Sequence, residues 1–451
     1  MISRMTWRQS LMVPVVVMLA GCWAQPGYDA GHSNASPLPT PITPASVGSL
    51  VRAFGAPSGP NFGVANAVVA NGTLFTSARR LHAFDAGGTA NCSGSPLECA
   101  PLWQSDATDP DLAAMAPTPA VGGGKVWGLF QYSAIGTKLL AYDAAGVTNC
   151  SGIPKTCKPV VDVTPQTAPY FGLRLTLGAE GPYVNSASVS RNIERHSITA
   201  YDNGGAYRWT SGVEVSRGPI VVGNGFVFAS LPSGQVAAFD ATGQNQCAPS
   251  NGFVFCNPVW TTTGAPAVVG NFPSTPVVRD GHVFVHNNGT AVAVFDASGN
   301  NGCGGVPKTC APQWTTSAAD TFGIAVTGDR LVTSGPSGVR AFALNSNGCS
   351  SSIPAVCSPT WTGTVPNGTT STEAPTVAGG VVYAAYTASV TGVVAYDLAG
   401  SLGCSGVPKT CNSLWSPVTA NRVQSPIVVG PRLYLADAAG QASEVTAFKL
   451  P

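Results

Sequence analysis

Thirteen cysteines and six recurring aspartates are the residues of this 451-residue chain whose types and spacing could do chemistry. Twelve of the cysteines fall into close pairs: Cys92/Cys99, Cys150/Cys157, Cys247/Cys256, Cys303/Cys310, Cys349/Cys357 and Cys404/Cys411. Such pairs suit disulfides in an oxidising compartment. The rival is metal binding, but zinc prefers tighter pairs such as C-x2-C, and the five histidines (32, 82, 196, 282, 286) do not recur with the cysteines. A redox role is the functional alternative to a structural one. The aspartates (85, 143, 202, 240, 296, 397) each follow an aromatic residue and open a turn, where a carboxylate bonds its own backbone. They do not form an acid/base pair. No G-x-S-x-G elbow, H-E-x-x-H, Walker or dinucleotide signature is present, and no position is assigned as catalytic.

Cys22 is the odd thiol. It ends a stretch that reads as an export signal, with Arg4 and Arg8 ahead of the short apolar run Leu11 to Ala20. Leu19-Ala20-Gly21-Cys22 resembles a bacterial lipobox, which implies lipidation of Cys22 and a mature chain beginning there; an ordinary signal peptide with an incidental cysteine is the alternative. Residues 1–21 are therefore expected to be a signal peptide. Residues 22–44, with Pro37, Pro39, Pro41 and Pro44 and no apolar periodicity, are expected to be an extended tether. Residues 45–451 are expected to be the folded domain. Hydrophobic residues are 44% of the chain and charged residues only 10%. With a net charge of +1 the chain has no basic surplus for a phosphate backbone, so nucleic acid is not an expected partner.

The elements that position these residues come from a repeat. An aromatic followed by Asp, after small apolar residues, recurs at Phe84, Tyr142, Tyr201, Phe239, Phe295 and Tyr396, with degenerate copies at Phe342 and Phe448, spaced 38 to 59 residues apart. Each unit parses into four short strands: a Pro-Val run, a Gly-turn hairpin into a β-branched strand, a strand ending in aromatic-Asp, and a fourth carrying Trp. The Trp residues are 103, 209, 260, 314, 361 and 415; unit 2 has Val160-Val161 instead. The last unit stops after its third strand, and Leu50 to Phe54 reads as the missing fourth. The expectation is an all-β propeller of about eight four-stranded blades, closed by that N-terminal strand and nearly free of helix. The cysteine pairs staple insertions between third and fourth strands. They are expected to fringe one face of the ring and to stiffen exposed loops there.

This pattern resembles the PQQ-like (pyrroloquinoline-quinone-type) β-propeller family, over residues 45–451; Trp23-Ala24-Gln25-Pro26-Gly27-Tyr28-Asp29 also resembles the lead-in of such proteins. The resemblance implies the fold, and it raises a quinone-dependent oxidoreductase using PQQ with Ca2+. Quinoprotein alcohol dehydrogenases of this fold resemble longer chains that often carry adjacent cysteines, and no Cys-Cys dipeptide occurs here. The chain is also similar to the outer-membrane assembly lipoprotein in propeller type and anchor, although that family is not cysteine-stapled. The reading favoured is an exported, lipid-anchored, monomeric binding or scaffold protein at the cell envelope. Its expected partner is a protein or a cell-wall glycan, with no cofactor and no metal. The quinone-dependent oxidoreductase is the alternative. Candidate binding residues are the polar and aromatic departures from the repeat in units 1 to 3: Asp106, Asp109, Asp111, Tyr132, Tyr170, Phe171, Arg191, Glu194 and Arg195. Solvated inter-blade loops are the bland alternative. The run Asp106-x-x-Asp109-x-Asp111 could hold Ca2+ but lacks an ordered ligand ladder and a closing Glu.

Overall fold

In a computed structural model, eight sheets are arranged in chain order as the blades of a propeller. The structure describes residues 22–451 except 61–64, 79, 107–117, 133–135, 164–173, 191–192, 264–274, 287–290, 318–321, 345–347, 366–367, 371–372, 389, 420 and 438–441. Among the described residues the only helix is a three-residue 3-10 turn, Val47–Ser49.

Blade 4 shows the plan. Its strands Val221–Gly223, Phe226–Ser230, Val236–Asp240 and Trp260–Thr262 pair in sequence order. Alternate side chains point to the two faces of each sheet, and both faces pack on neighbouring blades. Val221, Phe228, Val236 and Ala238 of blade 4 thus meet Val283, Val285 and Phe295 of blade 5. The first strands of successive blades flank one another around a central channel. The ring closes where Val51–Pro60 pairs antiparallel with the final strand, Ala442–Lys449. The N-terminal strand therefore supplies the fourth strand of blade 8, as the repeat predicts. Arg52 sits on this seam, pairing with Glu444 of the last strand at 2.9 Å and with Glu98 at 2.5 Å.

The repeat motif has a reason that spans two blades. Each aspartate gathers the amides of the turn it opens: Asp296 accepts from Ser298, Asn300 and Asn301 at 2.9, 3.1 and 2.7 Å. The turn brings a left-handed glycine onto the tryptophan of the preceding blade. Gly146 lies on Trp103, Gly243 on Trp209, Gly299 on Trp260 and Gly400 on Trp361, and in every case a Cβ would overlap the indole ring. Aromatic-Asp-x-x-Gly and Trp are thus two halves of one inter-blade joint.

The strands of a blade alternate in direction. The first-to-second and third-to-fourth turns therefore emerge on one face, here called the stapled face. The second-to-third hairpins and the links between blades lie on the other, the link face. All six cysteine pairs are disulfides between close neighbours: Cys92–Cys99, Cys150–Cys157, Cys247–Cys256, Cys303–Cys310, Cys349–Cys357 and Cys404–Cys411. Their hairpins do not simply fringe the stapled face, as expected from the sequence. Each lies along the outer strand of the preceding blade. Thr309–Cys310 runs parallel to Trp260–Thr262, with Thr261 opposite Thr309 and Thr262 opposite Cys310. The same latch joins blades 1 to 8, 2 to 1, 4 to 3, 6 to 5 and 7 to 6. The physical reason is the outermost strand's free edge, whose unpaired amides the hairpin takes up.

The latch also corrects the expectation that the disulfides merely stiffen exposed loops. The second cysteine of every pair is buried: Cys99, Cys157, Cys256, Cys310, Cys357 and Cys411. Each stands on the hairpin strand that lies against the preceding blade, and that neighbour covers it. Cys99 packs with Phe54 and Val445 of blade 8, Cys256 with Trp209 of blade 3, and Cys411 with Trp361 of blade 6. Cys357 lies on Ala355–Cys357, opposite Thr316 of blade 5. Half of each disulfide therefore belongs to an inter-blade core, where a sulfur behaves as a small apolar group.

A larger difference concerns residues 22–44. The expected free tether is instead packed into the ring. Trp23, Ala35 and Ile42 are buried. Between Trp23 and Ser36 the chain circles the channel and touches one blade after another. Val69 bonds Trp23, and Val121 donates to Ala24 O at 2.6 Å. Leu177 N donates to the Gln25 side chain. Val222, Val278, Val326 and Val377 donate to the carbonyls of Ala30, Gly31, Ser33 and Asn34. These valines lie on first strands, whose channel-side edges have no other strand beside them. Left-handed backbone at Gly27, Tyr28, His32 and Asn34 lets so short a segment curl round. The bonds fall at the C-terminal ends of the first strands, so the segment spans the channel at the stapled face.

Candidate functional site

The link-face mouth of the channel carries the described charged groups that the repeat does not explain. Four arise from segments that lead into or begin first strands, a place where the repeat otherwise puts Ser, Gly and Pro. Arg174 begins the first strand of blade 3 (Arg174–Gly178), while Arg217, Glu373 and Arg422 stand just before those of blades 4, 7 and 8. Arg422 Nη2 reaches Glu373 Oε1 at 3.2 Å. Blades 3 and 7 face each other across an eight-bladed ring, and the charges of Arg174 and Glu373 are felt across it. Burial pushes the Glu373 carboxyl up from its ordinary value, with Arg422 and Arg174 pulling against it. Burial, aided by Arg217, lowers Arg174. His32, on the N-terminal segment, is held down to about 4 by burial and by the Arg174 charge, so it is neutral at pH 7. Its Nε2 lies 3.4 Å from the Thr176 hydroxyl, which donates to Ile220 O at 2.7 Å.

Beside this mouth stands the long hairpin of blade 3, Gly181–Ser190 and Ile193–Tyr201. Glu194 and Arg195 are exposed on its second strand. Glu194 Oε1 lies 3.0 Å from His196 Nε2, and burial lowers the His196 pKa while Glu194 opposes the shift. The charges of Arg217 and Glu214 also reach His196. The structure thus gathers Glu194, His196, Glu214 and Arg217 on one flank of the mouth.

The other sequence candidates fare differently. Asp106 is exposed just after the fourth strand of blade 1, with its amide bonded to Cys157 O. Tyr132 ends the second strand of blade 2, and its side chain lies outside the described residues. Asp109, Asp111, Tyr170, Phe171 and Arg191 also lie outside them. Sequence reasoning passed over Arg174, His196, Arg217, Glu373 and Arg422. The available signal was scarcity: in a chain with 10% charge, an Arg or Glu leading into a Pro-Val strand stands out.

The described residues of the mouth do not offer the donor set of a Ca2+-bound quinone. Calcium takes about six to eight oxygens, several of them carboxylate. Among the described residues the channel cluster offers one carboxylate, Glu373, already paired with Arg422 and under the charge of Arg174. Among the described residues no three His, Cys, Asp or Glu side chains come together.

The blades, the inter-blade Gly–Trp joint and the closing N-terminal strand define a PQQ-like β-propeller. The profile of the family described as outer membrane protein assembly factor BamB matches residues 194–450, and the chain belongs to that family. No curated protein matches the sequence. Among solved structures, BamB from Moraxella catarrhalis is similar over 89% of this chain and 99% of its own, at 14% identity and a TM-score of 0.56. Quinohemoprotein alcohol dehydrogenase from Comamonas testosteroni matches 95% of this chain and 80% of its own, at 14% identity and a TM-score of 0.60. A europium-containing methanol dehydrogenase matches 95% and 98%, at 11% identity and 0.59. Identities this low establish the shared fold alone.

Proposed function

We propose that this chain is an exported, lipid-anchored propeller that binds and scaffolds protein partners at the cell envelope without catalysis. The observation that carries this reading is the N-terminal segment. It spans the channel at the stapled face and leads back to Cys22, which packs against blade 1 beside Ala24. An anchor at Cys22 would hold the stapled face toward the membrane and turn the link face outward. The charged mouth and the blade 3 hairpin are then presented to partners. Six disulfides fit an extracytoplasmic location, and the family's description as an assembly factor fits a scaffold. No helix among the described residues is long and apolar enough to cross a membrane, so attachment would fall to the lipid. The test is Cys22→Ser in the native host. Loss of membrane association or blocked processing is expected. A membrane-bound product, processed as before, would exclude the anchor.

A further inference from the structure

The stapled face carries a row of apolar tips that the fold does not use. Ile153, Val306, Ile353 and Val407 stand at the tips of the cysteine hairpins of blades 2, 5, 6 and 7, and their exposures are 102%, 101%, 99% and 102%. No other large apolar side chain described is so exposed; Val147, at 73%, lies in the same inter-strand connection of blade 2 as Ile153. Each tip residue precedes a proline, and in three hairpins a lysine follows: Lys155, Lys308 and Lys409. Together with Lys158, the cysteine hairpins hold four of the chain's seven lysines. Lys155 and Lys409 each donate to a carbonyl of their own loop, Gly146 O and Gly400 O, both at 3.0 Å, which sets the charge just behind the apolar tip.

Register gives the direction in which the tips point. The second strand of each hairpin runs parallel to the neighbouring fourth strand, which descends from the stapled face. The tip precedes that second strand and so lies toward the stapled face. Three of the four tips belong to consecutive blades, 5 to 7. Cys22 lies at the same face, beside the first-to-second-strand turn of blade 8 at Gly430.

We propose that these tips form a bilayer-docking surface, with Ile153, Val306, Ile353 and Val407 entering the interface of a membrane containing anionic lipid and the lysines meeting its headgroups. A core has no use for a fully exposed β-branched residue repeated at one position, whereas an interface that is apolar inside and anionic outside matches both groups. The disulfide behind each tip holds it against the neighbouring blade, so little freedom is lost on insertion. Several shallow contacts around a ring would add to a lipid on Cys22 and set the propeller's tilt. The proposal takes its location in the cell from the function proposed above, but its test does not.

Residues 23–451 contain every disulfide and the whole ring, so that chain, which lacks the anchor cysteine, can be tested on its own. It is mixed with vesicles of phosphatidylethanolamine and phosphatidylglycerol and sedimented. Binding is expected, weaker on phosphatidylcholine alone. Changing Ile153, Val306, Ile353 and Val407 together to Ser is expected to lower partitioning at least about tenfold with the denaturation midpoint unchanged. Lys155→Gln with Lys308→Gln and Lys409→Gln should remove the preference for anionic lipid. No binding to any vesicle, or equal binding by the tip variant, would overturn the proposal. So would a wild-type dimer in solution that the tip variant abolishes, if vesicles capture neither, because the tips would then join two copies of this chain. Failure here alongside a lipidated Cys22 would leave the anchor standing; the reverse would leave the docking surface.

Discussion

Trp23 and Val69 exchange both of their backbone hydrogen bonds, at 2.6 and 2.9 Å. They are 46 residues apart, and the pair fastens the start of the N-terminal segment to the first strand of blade 1. The Trp23 ring is 2% exposed and meets Tyr28 edge-on at 5.1 Å. Trp23→Ala is therefore expected to cost about 3 kcal/mol in denaturant unfolding, the usual range for a buried aromatic. An unchanged midpoint would mean that the segment rests on the channel without contributing to the fold.

The inter-blade joint predicts a second loss. Gly299 has φ +67° and lies against Trp260. Gly299→Ala combines a backbone conformation unfavourable to an L side chain with an overlap on a buried ring, and about 2–3 kcal/mol is expected. Gly225, in the blade 4 hairpin turn, has nothing near its missing Cβ. Gly225→Ala bears only the backbone penalty and should cost less. Equal losses at the two sites would show that the indole contact contributes nothing.

Both ends of the joint were legible in the sequence, because Phe295-Asp296 and Trp260 are local signals that recur. Ring closure by the strand around Phe54 was legible for the same reason: one unit lacks its fourth strand and one strand lacks a unit. The role of Trp23 to Ser36 was hidden. Its contacts pass from one blade to the next, so no periodicity develops, and its Pro and Gly content reads as linker. The hairpin latches were hidden too, since parallel pairing between blades leaves no spacing in one chain. The pairing of Cys303 with Cys310 could be read from their closeness, but the burial of Cys310 under blade 4 could not. Of the candidate site, Glu194 and Arg195 were seen as departures from the repeat. Arg174 and Glu373 come together only through the ring.

Acid should unfold the protein in two stages. Burial, with help from Arg174 and Arg80, lowers His32 and His82 to about 4. Below about pH 6.5 the unfolded chain binds protons that the folded chain refuses, so stability falls between about 6.5 and 4. Burial alone would raise the carboxyls of Asp85 and Asp296, but their turn hydrogen bonds outweigh it and bring each to about 2. Their contribution is present above about pH 4 and is lost between there and about 2. His82→Phe should flatten the first stage and leave the second. A midpoint independent of pH from 6.5 to 4 would contradict the buried neutral histidines.

The disulfides close loops of seven to nine residues. By loop entropy, removing Cys303–Cys310 through a double Ser substitution should cost about 2 kcal/mol. Hydrogen exchange should then rise at Thr261, whose amide donates to Lys308 O at 3.0 Å. Unchanged protection there would place the latch elsewhere than along blade 4.

The central claim is that the protein works by holding partners rather than by turning over a substrate. The most direct measurement is the size of the native particle extracted from membranes in mild detergent, for the wild type and for Glu194→Lys combined with Arg195→Glu. The account predicts that the wild type migrates in a stoichiometric assembly larger than a single mature chain. The double variant, folded and still membrane-bound, should be released as a monomer. A wild-type particle that is already a lone monomer would contradict the account.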